Sequence, residues 1–425
     1  MKKMEYKGID INYYRETLEN GLEVVMVPMP DKKNYFITYA TRFGSEITSF
    51  TPKDTKQETK VPDGIAHFLE HKMFEQEDGV DPFTFYSKSG TGSNASTSFD
   101  FTQYICYGTK KFDENLRYLL KFVKEPYYTD ENVEKEKGII AQELNMYNDM
   151  PDFQLEMRLR KNIYHKLPRR IDIGGSVKEI NKITKEDLYL CYNNFYSPNN
   201  MFVIIVGNFN QKEASKIICE ELELKENKDY PKIKHIEEPL EVRIKTDSFK
   251  STVEIPKVAV GLKVFKKDLK IDNEFQTYLY LNMITKMLFG DSSLFREKAI
   301  EDKLMTGMYT EWENTEDFRT FYLMAESVEP DTLVKEIKKV LKNHDDFIDE
   351  ETFERYKKVW ISNIVRGSDD VEFIVDSAFS DMLYNKEIIN DKIDQYKNLS
   401  YKKLKEVVKK IDFDNFSVCT MHPNK

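Results

Sequence analysis

Two histidines and a glutamate with the spacing His-x-x-Glu-His are the residues of this sequence best suited to chemistry. His67, Glu70 and His71 lie three and four positions apart, and on an α-helix such positions are neighbours on one face. Two imidazoles at this spacing can hold a zinc ion, and a glutamate between them can act as a base on water. The spacing therefore predicts part of a metal site, which needs a third protein ligand from elsewhere in the chain.

An alternative to metal binding is that the two histidines only pack inside a domain. The other positions of the segment, such as Phe68, Leu69 and Met73, are apolar, so one side of the helix is expected to be buried in either case. Packing leaves the carboxylate of Glu70 unexplained, because an unpaired buried charge costs several kcal/mol. A metal site is therefore the favoured interpretation.

A second predicted helix carries two carboxylates on one face. The pattern over residues 130–147 is helical, with Asp130 as a candidate N-cap and Pro151 beyond its end. Glu136 and Glu143 are seven residues apart, nearly two turns, and so share a face. Glu143 stands among apolar residues, where a carboxylate is out of place unless something binds it.

The segment 92–98 is rich in small polar residues and leads into a predicted strand. Asn94, Ala95 and Ser96 belong to its first half, which is unusually small and polar for a core strand. An extended peptide could add to such an edge through backbone hydrogen bonds, but an ordinary solvated edge has the same composition. The residues alone leave both interpretations open.

Length and charge restrict the fold and the partners. A chain of 425 residues is too long for one compact core and predicts two or three domains. A charged tract containing proline predicts a linker at 225–246, between a first domain at 1–224 and a second at 247–425. The net charge of −10 disfavours nucleic acid as a partner, because phosphate binding needs a concentrated basic surface.

The cysteines and the apolar runs bear on the compartment. Four scattered cysteines without a Cys-x-x-Cys pair predict free thiols. The N-terminus has no apolar stretch of signal-peptide length, and no run of about 18 apolar residues predicts a membrane span. We therefore expect a cytoplasmic protein without a membrane partner.

These segments together resemble a known family. Residues 67–71, combined with Glu143 at 72 residues after the second histidine, are similar to the pitrilysin or insulinase family of zinc peptidases, the inverzincins, which includes the mitochondrial processing peptidase. The segment 134–143, Glu-Lys-Glu-Lys-Gly-Ile-Ile-Ala-Gln-Glu, resembles the second motif of that family. The sequence His-Phe-Leu-Glu-His-Lys at 67–72 is shared with its two-domain bacterial branch called YmfH-like.

The resemblance implies a role for each residue of the two helices. One Zn²⁺ per chain would be held by His67, His71 and Glu143. Glu70 would act as the general base, and Glu136 would be a carboxylate that orients a ligand histidine.

The resemblance also implies a substrate strand and a fold. The polar edge resembles the family's substrate-binding strand, which makes Asn94, Ala95 and Ser96 candidate substrate contacts. The implied fold is α+β, with two related domains, each a mostly antiparallel sheet packed with helices, facing each other across a cavity. The second domain lacks the metal motif.

The second half departs from the family where substrate-binding residues are expected. Residues 290–297 match the start of a family motif that usually continues to an arginine and a tyrosine reaching the substrate carbonyl, but Ala299 and Ile300 stand near the expected arginine. Arg296 and Tyr309 are the substitutes that the sequence offers. An ordinary helix-surface arginine and an ordinary strand tyrosine explain them equally well.

The expected function is a zinc-dependent endopeptidase that cleaves short or unfolded peptides through attack by water. The alternative is a non-catalytic or partner-dependent peptide-binding subunit of a peptide processing or maturation complex, since a partner could supply the missing arginine and tyrosine. A homodimer, or a heterodimer with a related subunit, fits either function. A generic α+β binding domain with a fortuitous motif is the third interpretation.

Overall fold

The computed structural model describes residues 1–223, 225, 229–271 and 273–424. Residue 224, where the predicted first domain ends, and residues 226–228 of the predicted linker lie outside the described residues. The chain forms two compact units, each assembled from separated stretches. Unit 1 comprises Met1–Asn145, Asp172–His235 and Val365–Asp391. Unit 2 comprises Met146–Ile171, Ile236–Ile364 and Lys392–Lys425.

Strands and helices alternate along the described chain. The strands are β1 Lys2–Glu5, β2 Asn12–Thr17, β3 Glu23–Pro28, β4 Tyr35–Thr41, β5 Ser49–Thr51, β6 Thr59–Lys60, β7 Gly92–Thr97, β8 Thr102–Gly108, β9 Met201–Gly207, β10 Lys232–Ile233, β11 Thr246–Ser251, β12 Lys257–Phe265, β13 Gly307–Asn314, β14 Phe318–Glu326 and β15 Phe416–Pro423. The α-helices are α1 Ile65–Met73, α2 Pro82–Lys88, α3 Phe112–Lys124, α4 Asp130–Asn148, α5 Pro151–Ile163, α6 Val177–Ile180, α7 Lys185–Phe195, α8 Gln211–Glu221, α9 Lys266–Leu269, α10 Glu274–Phe289, α11 Leu294–Glu301, α12 Pro330–Lys342, α13 Glu350–Gly367, α14 Val371–Ser380, α15 Lys392–Lys397 and α16 Tyr401–Val408. In the part of the chain that the structure describes, no helix combines the length and the apolar character needed to cross a bilayer.

A seven-stranded sheet forms the centre of unit 1, with the order β1-β2-β3-β9-β4-β8-β7. Neighbouring strands are antiparallel except β3 and β9, which run parallel. Every residue of β9 is buried, as expected for an apolar strand covered on both faces. A small sheet with the order β10-β5-β6 belongs to the same unit. β7 lies at an edge of the large sheet, next to the metal-motif helix α1.

The sheet of unit 2 repeats part of this arrangement. Its five strands have the order β11-β15-β12-β14-β13, in which β11 and β15 run parallel and the other neighbours are antiparallel. The strands β3-β9-β4-β8-β7 of unit 1 have the same order and the same directions. The structure therefore confirms the predicted α+β fold with two related, mostly antiparallel domains. The helix α10, which lies between β12 and β13 in the chain, contains no histidine.

Each unit includes a helix from the opposite half of the chain, so the units differ from the continuous domains predicted at 1–224 and 247–425. In unit 2, α5 packs on β12 and β15. In unit 1, α14 packs on β9 and β4, and Phe379 at its end contacts the rings of Phe101 and Phe202. Apolar periodicity shows that a helix has a buried face, but it does not show which sheet that face covers.

Helix α1 begins where two backbone segments meet. Gly64 has a φ of +89°, and a Cβ there would lie 2.3 Å from the carbonyl oxygen of Gly174. Gly175 has a φ of +79°, and a Cβ there would lie 2.4 Å from the carbonyl oxygen of Asp63. Glycine allows both the left-handed backbone and the close approach. This packing fixes the position of α1 at its N-terminal end.

Replacing Gly64 with alanine tests this packing. Gly64→Ala puts a side chain on left-handed backbone and against Gly174, so we expect the free energy of unfolding to fall by about 1–3 kcal/mol. Gly138→Ala is the matched control, because Gly138 lies inside α4 and a Cβ there meets no atom within 4 Å. Alanine inside a helix stabilises by about 0.5–1 kcal/mol. Urea denaturation measures both; equal stability of Gly64→Ala and the parent chain would show that the close approach is absent.

Candidate metal centre

Helix α1 presents an apolar row to the core and two imidazoles beside it. The core-facing row is buried in the apolar core of unit 1 and includes Ile65, Phe68, Leu69 and Met73. His67 and His71 lie on the adjacent row, with ring centroids 4.6 Å apart. Burial of the apolar row anchors the helix, and the i, i+4 spacing then holds the two rings side by side.

Glu143 of α4 approaches both imidazoles. Its Oε1 lies 3.8 Å from Nε2 of His67, and its Oε2 lies 3.3 Å from Nε2 of His71. One ligand atom from each of the three side chains lies within 4.8 Å of the others. Among the residues that the structure describes, this is the one group of three such side chains that could hold a metal ion. The structure therefore brings together the three predicted ligands.

Glu136 of α4 contacts His71 at Nδ1, the ring nitrogen that does not face Glu143. Nδ1 of His71 is 3.0 Å from Oε1 of Glu136, so the ring can donate its Nδ1 proton to this carboxylate. Binding of a metal at Nε2 of His71 needs the tautomer in which Nδ1 carries the proton, and a carboxylate at Nδ1 favours that tautomer. The structure thus places Glu136 against His71, and the orienting role that the sequence resemblance implied for Glu136 stays a prediction.

Glu70 is connected to the edge strand β7. Its Oε2 accepts a hydrogen bond of 2.7 Å from the Thr97 hydroxyl, at the end of that strand. Burial raises the pKa of Glu70 above its usual range, although the Thr97 hydrogen bond opposes the shift. Thr97 belongs to the polar segment singled out in the sequence, but its contact with Glu70 depends on tertiary packing that no local pattern shows.

The surroundings of the two imidazoles shift their pKa values in opposite directions. Burial and the neighbouring His71 lower the pKa of His67 to about 4, which keeps its ring neutral. Burial also disfavours a charged His71, but the carboxylates of Glu136 and Glu143 outweigh it and raise the pKa of His71 to about 10. The hydrogen bond from His71 lowers the pKa of Glu143. The site thus holds a positive charge between carboxylates.

A zinc ion fits this set of donors. Two imidazoles and one carboxylate converge, and His₂Glu is a donor set of catalytic zinc sites. The carboxylates of Glu136 and Glu143 favour positive charge at this position, as the raised pKa of His71 shows. A zinc dication would supply such a charge. The contact between Glu136 and His71 is of the kind that orients a metal-binding histidine.

The predicted substrate contacts Asn94, Ala95 and Ser96 lie on β7, which pairs with β8. The side chains at 94 and 96 are exposed. The backbone N–H of Ala95 donates to Oδ1 of Asn94 at 2.9 Å, which covers a donor at the sheet edge. Oγ of Ser96 accepts from Gln103 at 3.0 Å. The edge is therefore polar and adjoins Glu70 through Thr97.

Arg296 and Tyr309 lie in unit 2 and have contacts within it. The Arg296 guanidinium is 2.9 Å from the carboxylate of Asp291 and donates to the Met308 carbonyl at 3.2 Å. The hydroxyl of Tyr309, on β13, donates to Glu311. These are contacts of a helix-surface arginine and a strand tyrosine, and their role toward a substrate stays a prediction.

Removal of Glu143 tests the ligand set. We expect Glu143→Ala to retain far less than one zinc per chain after purification, because the site then keeps two ligands of three. Glu134→Ala is the matched control, since Glu134 lies on the same helix with a side chain that is 70% exposed. Elemental analysis of both proteins gives the zinc content. Normal zinc content in Glu143→Ala would mean that another residue is the third ligand.

Two family models match the chain. Residues 55–174, which include α1 and α4, match the model described as Insulinase (Peptidase family M16). Residues 182–359 match the model described as Peptidase M16 inactive domain.

Individual proteins extend this match to the full length. The chain is 34% identical over 432 residues to the uncharacterized zinc protease YmfH of Bacillus subtilis (strain 168), covering 100% of this chain and 99% of that protein. It is 26% identical over 341 residues to the zinc protease PqqE of Helicobacter pylori, covering 77% of this chain and 73% of that protein. A crystal structure from Alicyclobacillus acidocaldarius, described as an M16-like peptidase, has a TM-score of 0.92 at 32% identity and covers 99% of this chain and 100% of its own. Family models over both halves and a full-length relative at this identity show that the chain belongs to peptidase family M16, the insulinase family.

Proposed function

We propose that this chain is a zinc-dependent endopeptidase that cleaves short or unfolded peptides. The observation that carries the proposal is the convergence of His67, His71 and Glu143 beside the buried carboxylate of Glu70. Two similar proteins that are named zinc proteases support it. One zinc ion per chain, held by the three converging side chains, would supply a Lewis acid that polarises the scissile carbonyl and makes water acidic enough to react near pH 7.

Glu70 is the proposed general base and acid. It takes a proton from the water that attacks the scissile carbonyl carbon, and it delivers that proton to the leaving amine nitrogen. Burial raises the pKa of Glu70 toward neutral pH. A general base whose pKa lies nearer the working pH can both accept and return a proton. The Thr97 hydroxyl fixes Oε2 of Glu70 and thereby restricts rotation of the carboxylate.

Glu136 is proposed to fix the tautomer and the orientation of the His71 ring. By accepting the Nδ1 proton at 3.0 Å, it selects the tautomer in which Nε2 of His71 can bind a metal. It also restricts rotation of the imidazole ring, which keeps Nε2 aimed at the same point as Nε2 of His67.

An extended peptide is the substrate that suits the edge strand β7. The Ala95 N–H is a backbone donor on this edge strand, and it donates to the side chain of Asn94. A substrate carbonyl could replace Asn94 Oδ1 on this donor, and the peptide would then continue the sheet past Thr97 and Glu70. Backbone pairing needs an extended chain, so short or unfolded peptides fit and folded proteins do not.

A second function, a peptide-binding subunit that depends on a partner, is favoured by one observation. Arg296 and Tyr309, the offered substitutes for the family's substrate-carbonyl contacts, bind Asp291 and Glu311 in their own unit. A related subunit in a heterodimer could then supply the missing groups. Turnover of a quenched peptide library by the chain alone, and again with a related subunit, separates the two functions: activity alone favours the endopeptidase, and activity only with the partner favours the subunit.

Glu70→Gln tests the endopeptidase directly. The amide cannot take the proton of water, so we expect kcat/KM for the peptide library to fall by about 10²–10⁴-fold, while about one zinc per chain remains. Glu77→Gln is the control, since Glu77 lies in the exposed turn after α1. Peptide fluorescence and elemental analysis are the two measurements. Retained turnover in a zinc-loaded Glu70→Gln protein would exclude Glu70 as the base.

A further inference from the structure

Lys72, the residue after His71, is buried within helix α1. Its side chain is 0% exposed, and it lies on the core-facing row three and four positions after Leu69 and Phe68. A buried ammonium group costs several kcal/mol unless it is paired. The position therefore needs an explanation that core packing does not give.

Two carboxylates surround the ammonium group. Nζ of Lys72 is 3.6 Å from Oε2 of Glu136 and also pairs with Glu75, which lies just beyond the C-terminal end of α1. Glu136 is nearly buried, with 11% of its side chain exposed, whereas the side chain of Glu75 is 38% exposed. Water can solvate Glu75 without a lysine. Glu136, shielded from water, is the partner that needs the cation.

Consecutive residues of α1 therefore hold one carboxylate of α4. Nδ1 of His71 contacts Oε1 of Glu136 at 3.0 Å, and Nζ of Lys72 lies near Oε2. A single hydrogen bond would let the carboxylate rotate about its bond to Cγ, while contacts at both oxygens restrict that rotation. His71, Lys72 and Glu136 thus act as one group.

We propose that Lys72 is a positioning residue of the metal site, which acts by holding Glu136 in the place where it orients His71. The proposal rests on the zinc site proposed above. Lys72 does not contact the metal, because a cation there would repel it; its effect passes through Glu136. If Lys72 served only the core, an apolar side chain of similar length such as methionine would stabilise the helix at least as well.

The affinity of the apoprotein for zinc tests this role. We expect Lys72→Met to raise the Kd for zinc about tenfold or more, as is typical when a contact that orients a metal ligand is lost. Competition with a chromophoric chelator measures the Kd. The visible spectrum of the Co²⁺-loaded protein is expected to change as well, because His71 then has a less fixed orientation. Neither measurement depends on peptide cleavage.

A double-mutant cycle separates a positioning role from a structural one. In the Glu136→Gln background, Lys72→Met should change the zinc Kd by less than about threefold, because the group through which Lys72 acts is already removed. The matched control is Lys137→Met, which removes the same charge next to Glu136 but from a lysine that pairs with Glu134 at 2.5 Å. We expect this control to leave the zinc Kd within about threefold of the parent.

Two outcomes would overturn the proposal: a zinc Kd for Lys72→Met equal to that of the parent, or a full tenfold loss that persists in the Glu136→Gln background. Thermal unfolding of the apoproteins shows whether each variant folds, and Lys72→Gln takes the place of Lys72→Met if the latter does not. A parent chain that binds no zinc would refute the proposed function itself. Tight zinc binding by both the parent and Lys72→Met would refute only the role of Lys72.

Discussion

The approach of α4 carboxylates to α1 imidazoles is the interaction on which the rest of the site depends. Glu143 lies between the Nε2 atoms of His67 and His71, and Glu136 accepts the remaining ring proton of His71. Carboxylates and imidazoles gathered in a largely buried place stay together only if positive charge balances them. A zinc dication, as proposed, would provide that balance.

Several parts of unit 1 hold these side chains in place. The apolar row of α1 anchors the helix in the core of unit 1, and the contact of Gly64 with Gly174 fixes its first turn. The edge strand β7 reaches the site through Thr97 and Glu70. Unit 2 repeats the strand order β3-β9-β4-β8-β7 without these residues. The shared fold therefore acts as a scaffold, and the proposed metal ligands come from side chains of one unit.

Much of this arrangement could be predicted from the sequence, because it rests on local spacing. The helical spacing of His67 and His71 puts two imidazoles on one face, and the resemblance to a family supplied Glu143 as their partner. Lys72 was missed, since its spacing from Glu75 is that of an ordinary surface pair and its contact with Glu136 depends on the packing of two helices. The exchange of α5 and α14 between the units was missed for a similar reason: periodicity identifies a buried face without identifying its partner.

The metal position itself is the most direct test of the zinc site. A crystal of the zinc-loaded protein, measured at X-ray energies above and below the zinc absorption edge, locates the ion without any assumption about activity. We expect one anomalous peak per chain, at about 2.0–2.2 Å from Nε2 of His67, Nε2 of His71 and a carboxylate oxygen of Glu143. A peak bound by other residues, or no peak at these three side chains, would show that they do not form the metal centre.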